Sequence, residues 1–444
     1  MFELLRSMRP SGSTQRAPRS AAIAALWLIA TLIHAAPATA ADLSIEEAIA
    51  AADKNHERAR IADQRVVQAD ADVDGATSDF LPTLTLGASA TARPAEDSAG
   101  RYVTGSGSLT LTQPLLKPSA IPRLASAKHS LKAAELTAEE EHRALAHETA
   151  RAFLAGLAAE RFLDAAKSRL ARARANLDNS QARADAELNS INDVTRAKLE
   201  VASAQREVAQ RSRDSIQAKL ALEILVGAPV EGLAPPSALF ASAQSFSGNK
   251  KKLTDAALAG RSDIKSLEQR TLAARELADE PNYRLIPSLD LVGQWRVNPD
   301  PITPQPWHEE TLTLSLSWTI FDGGQRYADR RSQLASVTTF ELQKSQVERT
   351  LGQEVRSAMA SLEAARESFT LATEASAASR ANTKETNELY QQGLARAIEV
   401  TDATAEEYAA DIEAASSKIE MAASYLDVRF ALGLSPIART GEAP

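Results

Sequence analysis

Two pairs of short segments along the chain alternate apolar and polar residues. In residues 289–297 and 312–320 the apolar side chains alternate mainly with Ser, Thr and charged or amide side chains. Residues 84–90 and 109–112 repeat this pattern less cleanly. Alternation with a period of two is typical of β-strands with one apolar and one polar face. The sequence therefore predicts four strands.

The segments between the strands of each pair contain residues that break regular structure. Residues 93–107 include Pro94 and three glycines, and residues 298–306 include four prolines. Glycine and proline mark turns and loops. Both segments are predicted to be loops. The Gly-Ser-Gly-Ser run at 105–108, where the first segment ends, is predicted to be flexible.

Long stretches without proline follow each predicted pair of strands. Residues 123–228 and 307–435 contain none. We expect helices from Pro122 to about Ala186 and from Gln325 to Tyr390, each interrupted by a single glycine. At 1.5 Å per residue, either helix would be about 100 Å long. Rods of this length do not fit within an ordinary compact domain.

Each predicted long helix ends in a break, at residues 188–192 and 391–395, after which the chain turns back. The first returning helix carries a heptad pattern, with these residues on its two seam positions: Val194, Val201, Val208, Ser215, Leu222, Ala197, Ala204, Arg211, Ala218 and Leu225. The second carries a further seam, comprising Tyr408, Ile412, Ala415, Ile419, Ala422 and Leu426. Heptads are typical of coiled coils, and several seams indicate several neighbouring helices.

The chain is internally duplicated. Pro82 and Pro287 each open a predicted strand and lie 205 residues apart, whereas Gly227 and Gly433 lie 206 residues apart. A nearly constant offset predicts two structural repeats, residues 41–240 and 241–444. Each would contain a helix, two strands, a long helical hairpin and a shorter equatorial segment.

The first forty residues have the features of a secretory signal peptide. Four arginines precede a mostly apolar run over residues 21–33, and Ala38-Thr39-Ala40 has the form of a cleavage site. We expect residues 1–40 to be removed after Ala40. The alternative is an N-terminal membrane helix, but the apolar run is too short to span a bilayer comfortably.

Composition and charge exclude several classes of function. Aromatic residues make up only 5% of the 444 residues, although 44% are hydrophobic, and much of the difference is alanine. The absence of cysteine excludes disulfides and thiol chemistry. A formal net charge of −8 argues against nucleic acid as a partner.

The sequence offers little support for catalysis or for a cofactor. His142 and His147 are five residues apart, so their spacing does not match a helical zinc motif. No phosphate-binding or dinucleotide-binding glycine pattern occurs. We therefore predict a protein that is not an enzyme and that holds no cofactor or metal.

The number of strands points to an assembly. A membrane barrel needs at least eight strands, because an open sheet edge is not tolerated in lipid. Four strands per chain cannot close, whereas three chains would supply twelve.

Several motifs resemble those of TolC-type outer-membrane efflux proteins. They are the duplication, the two Pro-led strand starts, the Ile320–Gly324 segment, and the Tyr390–Gly393 segment followed by Glu399–Ala403. The resemblance implies an α+β membrane protein: a trimeric 12-stranded β-barrel, four strands per chain, that continues into a long periplasmic α-helical barrel. It also implies a location in the cell outer membrane, extending into the periplasm.

The implied function is a channel-tunnel that serves as the passive exit duct of a tripartite efflux pump or a type I secretion system. The implied partners are two further copies of the chain, a periplasmic adaptor (membrane fusion) protein, an inner-membrane pump or ABC transporter, and outer-membrane lipid. The alternative is a secreted trimeric coiled-coil protein, structural or adhesive, without a pore. In that protein the apolar faces of the strands would cover a protein core instead of facing lipid.

The resemblance also suggests site residues at the ends of the helical hairpins. The periplasmic gate would comprise Glu399, Asp402, Tyr390 and Arg396. The adaptor-docking tips would comprise Glu187, Leu188, Asn189, Gly393, Leu394 and Ala395. Because Glu187 stands where the second tip has Gly393, we expect Asn189 or Asn192 to adopt the left-handed conformation in the first tip.

Overall fold

The computed structural model describes residues 42–95, 100, 102–187, 190–298 and 306–437. The predicted signal peptide lies outside the described residues. The elements in chain order are α1 (Ile45–Asn55), α2 (Glu57–Ser78), β1 (Thr83–Ala92), β2 (Val103–Leu116), α3 (Ala120–Asp185), α4 (Ile191–Val226), α5 (Ser237–Ser245), α6 (Lys250–Gly260), α7 (Ser262–Tyr283), β3 (Ser288–Val297), β4 (His308–Ser317), α8 (Gln325–Gln391) and α9 (Ala397–Ala431).

The elements recur at a nearly constant spacing. Helices α1 and α6 begin 205 residues apart, as do α3 and α8, while α4 and α9 begin 206 residues apart. Strands β1 and β3 also begin 205 residues apart. Each half of the described chain thus runs through the order helix, helix, strand, strand and long helical hairpin.

The four strands form one antiparallel sheet in the order β1-β2-β3-β4. Pairing of β2 with β3 joins the two halves of the chain, with Gly107 opposite Val297, and β1 and β4 are the edges. The leucines of one face are exposed in the chain: Leu84, Leu86, Leu312, Leu314 and Leu316. An exposed apolar face of this size indicates a surface that contacts lipid or another protein.

Strands β2 and β4 differ most from the sequence predictions. The Gly-Ser-Gly-Ser run belongs to β2, because Gly105 and Gly107 pair with Ala90 and Ala88 of β1. Strand pairing here outweighs the weak intrinsic strand preference of glycine and serine. Strand β4 ends at Ser317, short of Ile320, because its partner β3 begins at Ser288, directly opposite Ser317.

Helices α3 and α8 have 66 and 67 residues, close to the predicted lengths. Helices α4 and α9 return along them, which gives two hairpins with arms of different length. Small residues are buried along α3, including Ala133, Ala150, Ala166 and Ala173. Small side chains permit close approach of helix axes, which fits the alanine-rich composition. The first heptad is confirmed in α4, where Val194, Ala197, Ala204 and Leu222 are buried.

Large apolar side chains concentrate where α1, α5 and α6 pack against the middle of α3 and α8 and against the ends of α4 and α9. We call this cluster the equatorial core; its fully buried members include Phe153, Leu154, Leu222, Leu351 and Leu426. Gly156 permits close packing there, since a Cβ atom at this position would lie 2.8 Å from Cδ1 of Leu233. The equatorial core therefore anchors both hairpins at a point far from their tips.

Among the described residues, none of the helices is both long and apolar enough to cross a membrane.

Candidate functional site

The second hairpin tip turns through a glycine in the left-handed conformation. Helix α8 ends at Gln391, and Gly393 has a φ of 77°. The Gly393 N–H donates to the Tyr390 carbonyl (3.0 Å), and the Leu394 N–H donates to the Leu389 carbonyl (2.9 Å). These two bonds define a Schellman motif, which commonly ends helices at glycine. The side chain of Leu394 is left 73% exposed at the tip.

The first hairpin tip uses the same backbone with a different residue. Glu187 has a φ of 60°, and its N–H donates to the Ala184 carbonyl (2.9 Å). The prediction that Asn189 or Asn192 would replace the glycine is therefore corrected: Glu187 itself takes the left-handed conformation, and Asn192 belongs to α4. The predicted tip residues Leu188 and Asn189 lie outside the described residues.

Tyr390 links the two hairpins just behind their tips. Its side chain is only 5% exposed. Arg183 of α3 donates to the Tyr390 carbonyl (2.6 Å), and its guanidinium lies 4.8 Å from the centre of the tyrosine ring. The hydroxyl oxygens of Ser180 and Tyr390 are 3.4 Å apart. Both polar ends of Tyr390 therefore face α3.

Arg396 does not pair with Tyr390 in the described chain; its partner is Glu399. The Arg396 Nε donates to the Glu399 carboxylate (3.0 Å), which also accepts from the Arg396 backbone N–H (3.0 Å). This backbone bond, followed by the side-chain bond, holds the pKa of Glu399 below its ordinary value. Glu399 thus also caps the start of α9.

The remaining predicted site residues lie close to this cap. Asp402 is exposed and lies three residues after Glu399, so both side chains project from neighbouring positions on one face of α9. Ala395 packs against a small buried cluster of Tyr390, Ala397 and Val400. The structure therefore brings the predicted gate residues together within about two turns of helix around the second tip.

Sequence reasoning missed Arg183. Its contact with Tyr390 joins residues 207 positions apart, and no motif marks it. The one usable signal in the sequence was its place, about one turn before the first tip.

Two of the histidines of α3, His142 and His147, have carboxylate partners. His142 Nδ1 lies 2.6 Å from Asp53, and its Nε2 lies 3.0 Å from Asp63. His147 Nε2 lies 2.9 Å from Asp427. Within the part of the chain that the structure describes, no group of three or more His, Asp or Glu residues is arranged to hold a metal ion.

Comparison with known proteins places this geometry in a family. A family model described as outer membrane efflux protein matches residues 48–228 and 253–434. The two matches follow the duplication and together cover most of the chain. The chain belongs to the outer membrane efflux protein family.

Solved structures share the fold of this family member. CusC has a TM-score of 0.75 at 18% identity, over 88% of this chain and 92% of the CusC chain. The Campylobacter jejuni CmeC outer membrane channel has a TM-score of 0.73 at 16% identity, over 89% and 87%. The open state of the Neisseria gonorrhoeae MtrE outer membrane channel has a TM-score of 0.72 at 19% identity, over 88% and 89%. None of the curated proteins matches this sequence.

Membership settles the main predictions. The chain is an outer-membrane efflux channel, which extends into the periplasm. Its predicted fold class is confirmed by the four-stranded antiparallel sheet and long helical hairpins shared with these channels. The family is one of channel proteins. The alternative of a secreted coiled-coil protein without a pore is not favoured.

Proposed function

We propose that three copies of this outer membrane efflux protein form the passive exit duct of a pump assembly. The observation that supports this most strongly is a four-stranded sheet with an exposed apolar face, continuous with helical hairpins about 100 Å long. Four strands cannot close alone, whereas twelve form an even-numbered barrel. The β1 edge of one copy would pair with the β4 edge of the next.

The sequence has no phosphate-binding glycine pattern of the kind that binds ATP. We infer that an inner-membrane pump or ABC transporter supplies the energy, and that a periplasmic adaptor connects the pump to the hairpin tips. The duct would not act as an enzyme.

The gate would lie where the tips of the three copies converge. Glu399 and Asp402 of each copy would then form rings of carboxylates around the periplasmic entrance. Carboxylate rings favour cations over anions and bind multivalent cations. Because each Glu399 is paired with Arg396, Asp402 would carry more of the free charge.

Planar bilayer recordings test the gate. We expect the double variant E399A/D402A to lose cation selectivity and to be relieved of block by trivalent metal ions. A matched control is E385A/E388A, which removes two exposed carboxylates, also three residues apart, from the end of α8. The control should keep the parental selectivity and block. Parental behaviour of E399A/D402A, in trimers that conduct, would exclude the carboxylate rings.

The tips are also the proposed docking site for the adaptor. Leu394 presents an exposed apolar side chain there, beside Gly393 and Ala395. We expect L394E to reduce export while the trimer still forms, because a charge would replace the apolar contact. L394M keeps the apolar character and should export normally. Normal export by L394E would argue that the adaptor docks elsewhere.

A further inference from the structure

The two repeats of the chain contact each other through different elements. The first repeat contributes mainly α3 and β2, and the second contributes α7, α9 and β3. The counterparts of α3 and β2 in the second repeat are α8 and β4, whereas the counterparts of α7, α9 and β3 in the first are α2, α4 and β1. The chain therefore presents, on two separate faces, both sides of a contact that it already makes once internally.

The helices of this internal contact are joined by a polar pair. Ser266 of α7 is 4% exposed, and its hydroxyl oxygen lies 2.8 Å from that of Thr137 on α3. Ile61 of α2 stands 205 residues before Ser266, and Leu342 of α8 stands 205 residues after Thr137. Ile61 is 52% exposed and Leu342 is 65% exposed. The polar pair inside the chain thus corresponds to two apolar side chains that the single chain leaves exposed.

A glycine in the interior of α8 belongs to the same face. Gly352 stands 205 residues after His147, whose ring centre lies 4.5 Å from that of Phe430 on α9. The counterpart of Phe430 is Ile224 of α4, which is 74% exposed. A Cβ atom at position 352 would have no described atom within 4 Å, so packing within the chain does not require glycine there. Glycine is unfavourable inside a helix, and an isoleucine of another copy lying against this position would account for it.

The edges of the sheet are related in the same way. Within the chain, Leu111 of β2 lies opposite Gly293 of β3. Their counterparts are Leu316 of β4 and Ala88 of β1. Pairing these two again sets a large side chain beside a small one and keeps both on the apolar face of the sheet. A slip by one residue would turn the apolar face of one strand to the polar face of the other.

This register also supplies a partner for the residues that follow β4. Residues 113–116 of β2 pair with the start of β3. Their counterparts, residues 318–321, have no strand partner in the described chain. In the same register, Trp318 would lie opposite Leu86 of the neighbouring copy. We therefore expect β4 to be longer in the assembly than in the single chain, as its alternating sequence predicts.

We propose that neighbouring copies join by repeating the contact between the two repeats. The contact sets the following residues of one copy against those of the next: Leu342 against Ile61, Gly352 against Ile224, and Leu316 opposite Ala88. The inference rests on the proposed assembly of three copies, and it specifies which residues hold that assembly together. Because the two sides of the contact are different surfaces, the copies join head to tail, and such contacts close into a ring when the rotation between copies permits.

Pairs of introduced cysteines test the strand register, since the chain has no cysteine of its own. A disulfide needs Cβ atoms about 3.5–4.5 Å apart, which residues directly opposite each other approach and diagonal neighbours, about 7–8 Å apart, do not. We expect A88C/L316C, in the full chain purified in detergent and oxidised, to give covalent trimers on a denaturing gel. The matched control A90C/L316C moves one cysteine two residues along the same face. It should link at least about tenfold fewer chains, because its Cβ atoms would be too far apart.

A second pair tests the helices independently of the strands. I61C/L342C should also link one copy to the next. T137C/S266C, at the corresponding internal position, should lose its free thiols on oxidation without linking chains. If A88C/L316C fails to assemble, the helix pair decides the question.

The outcomes separate this contact from the proposed function. Conducting trimers in which A90C/L316C links better than A88C/L316C would overturn the register, and trimers linked by neither A88C/L316C nor I61C/L342C would overturn the whole inference while leaving the duct in place. Covalent trimers that do not conduct would support the contact and overturn the duct. A parent chain that stays monomeric would overturn both.

Discussion

In each repeat the long helix contacts the two helices that precede the strands, and we call this contact the junction. The side chains that form the junction differ between the two repeats. In the first, His142 of α3 lies within hydrogen-bonding distance of Asp53 of α1 and Asp63 of α2. In the second, the residue 205 positions after His142 is Val347, and the one after Asp53 is Leu258. Both of these pack against the equatorial core. The backbone of the junction is thus repeated while its side-chain contacts are not.

The hairpin tips differ in a similar way. Glu187 and Gly393 share the left-handed conformation, but only glycine adopts it without steric cost. Arg183 of the first tip donates a hydrogen bond to the backbone carbonyl of Tyr390 at the second tip. The two copies of the tip have therefore become complementary.

This comparison shows what duplication constrains. The repeated backbone fixes where helices, strands and turns lie, since both halves must fit one sheet and one set of hairpins. Side chains that contact the other repeat are free to diverge, and they have done so at the tips.

Loss of Arg183 should produce the largest effect. In R183A the Tyr390 carbonyl loses its hydrogen bond from a charged donor. Such a bond contributes about 1.5–3 kcal/mol to stability. We expect amide hydrogen exchange at the ends of α3 and α8 to become at least about tenfold faster. The matched control is R174A, an exposed arginine on the same helix. Equal exchange in both variants would mean that Arg183 does not join the repeats.

Exchanging the tip residues should have a smaller effect, with opposite signs. G393E places a side chain in the left-handed region and should destabilise the second tip by about 1 kcal/mol. E187G should stabilise the first tip by up to a similar amount. A Cβ atom at position 393 would meet only Arg183, at an ordinary 3.8 Å, so backbone conformation and not collision is being tested. Hydrogen exchange at each tip gives the local free energies, and shifts of the same sign would contradict this account.

The smallest of the three predicted effects is a difference between the two junctions in how their stability depends on pH. Burial lowers the pKa of His142, but its bonds to Asp53 and Asp63 outweigh this, so the pKa is raised above its ordinary value. Carboxylates only accept, so a ring that bonds to both must carry two protons. The resulting stability is present below the ordinary histidine pKa of about 6.5 and is lost as pH rises through the folded pKa.

Hydrogen exchange, corrected for its intrinsic pH dependence, measures this difference. Protection of α2 should fall across that range, whereas protection of α7, its counterpart in the second repeat, should stay constant. H142Q should remove the pH dependence in α2. A parallel fall in both helices would show that the histidine is not responsible.

Regular elements were predictable because their signals are local. The predicted limits of α8, Gln325 and Tyr390, agree with the observed helix to within one residue at each end. The start of β2 was missed because Gly105 and Gly107 suggest a loop, and only pairing with β1 makes them a strand. Glu187 was assigned the wrong conformation because nothing in the sequence shows that a non-glycine residue takes it.

Contacts between the hairpins could not be read from the sequence. Glu407 occupies an ordinary helical position, and its burial depends on Arg172, 235 residues earlier. The gate residues Glu399 and Asp402 were found through family resemblance, which did not indicate that Arg396 would neutralise one of them. Pairings at such distances depend on how the hairpins pack, and a single sequence does not record this.

The two sheet edges, β1 and β4, have a genetic consequence in the proposed trimer. A closed barrel requires pairing of the β1 and β4 edges between all neighbouring copies. One chain with a damaged edge would therefore inactivate a trimer whose other two chains are normal. In a cell that makes normal and damaged chains equally, only about one ring in eight would consist of normal chains alone. Mutations at these edges should therefore behave as dominant, whereas mutations that prevent the chain from folding at all should behave as recessive.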